Sequence, residues 1–188
     1  ANFEQLQPIL QKALENESST ELVERGVMAA GIAKAGMLLS KKYTLQITNV
    51  PYLGRGRQVE KGIIQNYCSD YYSDAKGDLA NVFFEKMLKS NAAGGTACSV
   101  MPQNWLFLTT YKKLREKLLK NETWNFVARL GPGAFSQITG EVVKAILISI
   151  SHQKPQPENM FTGLDVSEKN NAAEKDEALK TDELKIIK

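Results

Sequence analysis

The residues best equipped for chemistry stand together at Asn49-Val50-Pro51-Tyr52. A carboxamide oxygen and a neighbouring backbone carbonyl can each accept one N–H, and the adjoining phenol ring offers a flat apolar face. The same four residues also make a good turn, because Asn initiates turns and Pro fixes φ. From the tetrapeptide alone the two readings stand level. The rest of the chain narrows the chemistry. His152 is the only histidine, so multi-histidine zinc sites are excluded within the chain and imidazole bases come down to that one residue. Cys68 and Cys98 have neither metal spacing nor the look of a disulfide framework, and a cytoplasmic setting is expected. The glycines at 54 and 56 and at 131 and 133 do not complete a phosphate-binding loop.

The elements that would position the tetrapeptide follow from periodicity and punctuation. Residues 3–15 and roughly 18–40 read as helices, the second opened by Ser18 or Ser19 with Glu21 nearby. Tyr43 to Thr48 reads as a strand ending at Asn49. The loop 53–58, with Arg55 and Arg57 flanking Gly56, leads to a helix at about 58–68. Asp78 caps a helix over 79–91, Gly94-Gly95 stop it, and Thr96 to Met101 is a buried strand ended by Pro102. Tyr111 to Lys120 is a charged amphipathic helix whose Lys112, Lys113, Arg115 and Lys117 read as a solvated face. Trp124 to Leu130 and Val142 to Ile150 are the last strands, on either side of Gly131-Pro132-Gly133. This alternation predicts an α/β sheet with crossover helices, and the last two strands are expected as an antiparallel pair at one edge.

Charge is uneven. The net value is +3, yet residues 154–188 hold eight Asp/Glu against six Lys. That stretch reads as a polar tail expected to pack poorly, and the basic remainder is compatible with a nucleic-acid partner. The longest apolar stretch, Val142 to Ile150, is interrupted by Lys144 and Ser149 and is too short to span a bilayer. No secretory leader opens the sequence, and no membrane partner is expected.

The fifty residues after the tetrapeptide carry a pattern. Residues 78–88 read DLANVFFEKML, Gly94-Gly95 follow, and 99–121 read SVMPQNWLFLTTYKKLREKLLKN. With the approach at 38–54, the stretch 130–148 and a segment at 160–187, the chain resembles the N6-adenine-specific DNA methyltransferases of BREX-type phage resistance and of type I and IIG restriction-modification. Those enzymes carry Asn-Pro-Pro-Tyr at the end of a central strand. The resemblance covers nearly the whole chain from about residue 20. It implies an S-adenosylmethionine-dependent methyltransferase (Rossmann-like) sheet, of which this chain holds the second half: an N-terminal helical segment (1–40), a motif-bearing half (41–153) and a polar tail (154–188) leading to a downstream domain.

Carried over by resemblance, Asn49 accepts one hydrogen of the adenine amine, the Val50 carbonyl accepts the other, Pro51 shapes the turn and Tyr52 stacks on a flipped base. Two such bonds localise a lone pair that is otherwise delocalised into the ring. Asp78 and Phe83 line the adenosine end of S-adenosylmethionine, although a plain N-cap and a core residue are their competing readings. Trp105 and Phe107 flank the flipped base or pack in the interior; Arg55 and Arg57 meet phosphate or stay solvated. The implied partners are DNA and other defence-system subunits.

Departures from the family pattern matter as well. Val50 replaces the first proline, Thr44 an aspartate, Ala80 an aromatic and Ala92-Ala93 a Lys-Pro, while Gln46 interrupts an apolar strand. The Gly-rich turn and acidic residue that hold the rest of the cofactor are not found before Asn49. The isolated chain is therefore expected to be inactive, with methylation belonging to the parent protein. Two other functions remain open: a methyltransferase acting on a glutamine amide or an RNA base, and a degenerate DNA-binding or assembly module.

Overall fold

The computed structural model describes residues 3–15, 19–58, 62–135, 144–181 and 185–187. Ser18, Val142 and Val143 of the sequence reading lie outside them. The chain divides at Lys42/Tyr43 into two units. In the first, α1 (Phe3–Glu15) and α2 (Thr20–Ser40) pack on one another. Ala33 is buried there, while Val27, Met28 and Ile32 stay exposed.

The second unit is a six-stranded mixed sheet in the order β1-β2-β4-β3-β5-β6. Its strands are β1 (Tyr43–Asn49), β2 (Asn91–Pro102), β3 (Thr123–Gly131), β4 (Ala145–Ser151), β5 (Phe161–Asp165) and β6 (Lys185–Ile187). Helices α3 (Ile63–Tyr71) and α4 (Leu79–Ser90) make the crossover between β1 and β2, α5 (Lys112–Asn121) joins β2 to β3, and α6 (Ala172–Lys180) follows β5. β1 pairs parallel with β2, and β3 pairs parallel with β5. β4 runs antiparallel to both β2 and β3.

Two sequence expectations are corrected here. The antiparallel pair does not lie at an edge: β4 inserts between β2 and β3, and β5 and β6 extend the sheet beyond. Among the described residues β1 pairs only with β2, on one side, and its Leu45 and Ile47 are exposed. The acidic tail is not loose either. It adds β5 to the free edge of β3 and buries Val166, with Leu164, Ala178 and Leu179 packed beside Ala128 and Leu130. Composition hid this, because a short apolar set suffices when a strand edge offers backbone hydrogen bonds.

The two sheet faces carry separate cores. Ile146, Ile148 and Ile150 of β4 meet Phe84 and Leu88 of α4, Leu114 and Leu118 of α5, and the Trp105–Trp124 pair, whose rings lie 5.8 Å apart. The opposite face holds the Ala128, Leu130, Ala145 and Val166 cluster. That alternation is what period-2 strands dictate. Gly94-Gly95 belong to β2 rather than stopping α4, whose carboxyl cap is Asn91. A Cβ on Gly95 would stand 2.6 Å from the Tyr43 carbonyl oxygen, so this glycine lets β1 approach.

Gly131 explains how the tail docks. Its φ is +68°, and a Cβ there would meet Ser167 Cβ at 2.6 Å. Gly131→Ala is therefore expected to lose roughly 1–3 kcal/mol through strain and overpacking and to loosen residues 161–180. Urea unfolding with amide exchange reads both; unchanged protection over 161–180 would show that the tail docks by other contacts.

Candidate active site at the carboxyl edge of the sheet

Since β1, β2 and β3 are mutually parallel through β4, their carboxyl ends gather at one edge. Asn49 pairs with Val100, and Pro102, Ala145 and Gly131 stand in one register row. The tetrapeptide and the Pro102–Leu108 loop therefore share an edge, which is where open α/β sheets present ligands. Asn49 and Pro51 are exposed, and Tyr52 is half-buried.

Val50 is 3% exposed and belongs to the core. Burial of its side chain anchors the backbone at the point where the family uses a pyrrolidine ring, so its carbonyl is held by packing. Tyr52 packs against the same core, and its hydroxyl has no hydrogen-bond partner among the described residues. Burial first, and the Asp78 charge second, push its pKa up to about 12, so the phenol stays neutral at any physiological pH.

The loop leaving Tyr52 is tied to the start of α4. Asp78 Oδ1 accepts from Ala80 N at 2.9 Å and from Leu53 N at 3.2 Å. Leu79 N donates to Leu53 O at 3.0 Å, and Arg55 N to Gly77 O at 2.9 Å. Arg55, for which a phosphate contact and a solvated loop were both open, directs its guanidinium to α3, donating to Ser69 Oγ at 3.1 Å and Gln65 O at 3.5 Å. Arg57 remains exposed.

Two neighbouring phenylalanines separate cleanly. Phe84 is 2% exposed and Phe83 is 43% exposed. Gln46 on β1 shows where Phe83 points. Its Nε2 donates to Ser90 Oγ and Met87 O of α4, and Phe83 shares the Ser90 side of the helix, two turns earlier. Phe83 thus lies on the flank of α4 turned to β1, and the core reading of this residue fails. Gln46, the polar interruption, is the bond that docks β1 on α4. Its polarity in an apolar strand was the signal for that role.

The aromatic pair in the next loop separates as well. Trp105 is 2% exposed and packs at a tilt of 45° against Trp124, so it is interior and the DNA-facing reading is corrected. Phe107 is 63% exposed, with the Arg129 guanidinium 6.0 Å above its ring. Arg129 is itself held by Gln103 Oε1 at 3.2 Å and by Asp165 at 3.0 Å. Arg115 is not simply solvated. Its NH1 donates to Trp105 O and Leu108 O, both at 2.7 Å, and holds the loop in place. Lys117 pairs with Glu85, which is 4% exposed, at 2.7 Å. No signal in the sequence distinguished these two cations from their solvated neighbours. Among the described residues no group of three or more His, Cys, Asp or Glu could hold a metal, and no helix is long and apolar enough to cross a membrane.

This fold is shared with a solved S-adenosylmethionine-dependent methyltransferase. A Listeria monocytogenes protein described as a class I enzyme of that kind superposes with a TM-score of 0.50 at 12% identity, covering 74% of this chain and 42% of that one. The DrdV–DNA complex superposes with a TM-score of 0.61 at 16% identity, covering 85% of this chain and 18% of that one. Residues 2–134 match the profile of the Eco57I restriction-modification methylases, and the chain belongs to that family. The adenine-specific methyltransferase PglX of Lacticaseibacillus casei (strain Zhang) is 32% identical over 127 residues, which is 66% of this chain. The chain spans about a tenth of that relative's length, 10%.

Tyr52 gives a direct test of this geometry. Removing a buried hydroxyl that lacks a partner removes a desolvation cost, so Tyr52→Phe is expected to be neutral or up to about 1 kcal/mol stabilising. Thermal unfolding of the two proteins decides it: a loss beyond about 1 kcal/mol would reveal a hydrogen bond to the hydroxyl.

Proposed function

We propose that the protein carrying this chain transfers a methyl group from S-adenosylmethionine to N6 of adenine in DNA, within restriction-modification or phage defence. The observation that supports it most is the placing of Asn49 and the Val50 carbonyl at the carboxyl end of β1, on the same edge as the Pro102–Leu108 loop. Membership of the Eco57I methylase family supports the reaction class. The name of the PglX relative supports adenine as the substrate, and the DNA in the DrdV complex supports the partner.

In this reading Asn49 Oδ1 and Val50 O accept the two amine hydrogens and turn the adenine lone pair toward the methyl donor. Tyr52 supplies the stacking face for the extruded base. Phe83 fits the adenosine end of the cofactor, because it is an aromatic left exposed on the flank of α4 beside β1. S-adenosylmethionine, when bound, supplies an electrophilic methyl on a sulfonium. Phe107 and Arg57 are the exposed residues assigned to DNA. Defence-system subunits as further partners, and a cytoplasmic location, belong to the same proposal.

The test is made in the complete protein that carries the chain, with methyl incorporation into DNA as the readout. Asn49→Ala is expected to lower kcat by about a hundredfold or more, the scale of a lost transition-state hydrogen bond, with cofactor affinity unchanged. Phe83→Ala is expected to weaken cofactor binding. Retained N6-methylation in Asn49→Ala would sink the assignment. Methylation of RNA or of a glutamine amide in place of DNA would transfer the site to a different acceptor.

A further inference from the structure

We propose that Asp78 is a positioning residue for this transfer, its side chain fixing the acceptor-binding loop Asn49–Tyr52 against the start of α4. The inference rests on the reading of Asn49 given above, and its test separates the two.

An N-cap carboxylate ordinarily serves the first turn of its own helix. Asp78 does that through Ala80 N, and with the same oxygen it also takes Leu53 N, twenty-five residues back along the chain. Leu53 is the residue directly after Tyr52. The rest of the junction is main chain: Leu79 N to Leu53 O, Arg55 N to Gly77 O, and the Gly54–Asp78 bridge. Gln58 Nε2 adds a bond to Leu53 O at 3.1 Å from the far side of the loop. The turn into α4 also packs closely on α5's approach, since the Tyr111 hydroxyl stands 2.5 Å from where a Gly77 Cβ would be.

The consequence is mechanical. The loop that binds the acceptor and the helix that presents Phe83, one turn beyond the junction, form a single clamped unit. Methyl transfer needs donor and acceptor in line, and a shift of about 1 Å can cost on the order of a hundredfold in rate. A carboxylate that touched the cofactor would act differently: its charge would matter, and its loss would raise KM for S-adenosylmethionine. A clamp needs only an acceptor oxygen at the right reach.

Two substitutions separate these roles. Asp78→Asn keeps an oxygen for both amides and removes the charge. Asp78→Ser keeps the helix cap, since serine is a good N-cap, but is too short to reach Leu53 N. Two measurements are made on each. Amide exchange at Leu53 is read in the chain itself, independent of activity, and kcat with KM for S-adenosylmethionine is read in the complete protein. The proposal expects Asp78→Asn to keep Leu53 protected and kcat within about threefold, with KM unchanged. It expects Asp78→Ser to expose the Leu53 amide and to lower kcat by roughly ten- to a hundredfold, again with KM unchanged and with α4 still protected. A tenfold or larger rise in KM for Asp78→Asn at unchanged kcat would overturn it in favour of a cofactor contact. Wild-type kcat in Asp78→Ser with an exposed Leu53 amide would overturn it outright. If the unmodified protein methylates no adenine, the functional reading fails, and the exchange data still report whether the clamp exists.

Discussion

The insertion of β4 between β2 and β3 is the pairing on which the carboxyl edge depends. β2 and β3 both run toward that edge, and two parallel neighbours would require direct parallel bonding between them. β4 runs the other way and hydrogen-bonds both, over registers from Thr96 to Pro102 on one side and from Thr123 to Gly131 on the other. Its even residues Ile146, Ile148 and Ile150 are 0–2% exposed and fill the core beneath α4 and α5. Its Ala145 meets the other face. A strand with one face fully buried, the other partly so, and both edges bonded has little tolerance for a register slip, because a one-residue shift exchanges its faces. The ends of β2 and β3 are thereby set relative to each other, and β1 joins them through its parallel pairing with β2.

Ion pairs then hold what the sheet has aligned. Glu85, almost fully buried, lies between Lys89 at 3.0 Å and Lys117 at 2.7 Å, and so joins α4 to α5. Removing either lysine would leave an under-compensated carboxylate in a dry position, which is where such pairs have their large effect. Lys175 plays a comparable part in the tail, donating to the carbonyls of Val166 and Lys169, with burial lowering its pKa. At the ligand edge the cations are handled differently. Arg115 and Arg55 donate to protein acceptors, while Arg129 lies over Phe107 with Asp165 beside it.

The departures from the family pattern acquire physical meanings in the fold. Val50 substitutes core packing for ring rigidity. Gln46 gives up apolar burial and gains bonds to Met87, Ser90 and Asn91 that dock β1. Ala80 is fully buried, and beside it lies a cleft of about 80 Å³ bounded by Asp78, Asn81, Trp105 and Tyr111. A larger ring at that position would have to share this space. Thr44 is exposed on β1, and nothing among the described residues explains its replacement of an acid.

Local signals in the sequence were enough for the helices, since α2, α4 and α5 follow from apolar spacing and α4 also from its Asp78 cap; such signals act over three or four residues. The strand ending at Asn49 and the buried strand ending at Pro102 were legible for the same reason, whereas the tetrapeptide stood out from an ordinary turn only through the resemblance of the residues around it. What tertiary structure decided was every matter that depends on a partner distant in the chain. Sequence order does not say which strand lies beside which, so the place of β4 and the addition of the tail as β5 and β6 could not be read. Nor does residue type say whether a cation meets water or a protein acceptor, and Arg115 and Lys117 read alike with Lys113 until the elements beside them were in place. Phe83 and Phe84 are adjacent and identical in chemistry, yet one faces the core and the other the open flank of α4. A helix rotates by about 100° per residue, and only the packing of the finished sheet chooses which of two neighbours is turned inward.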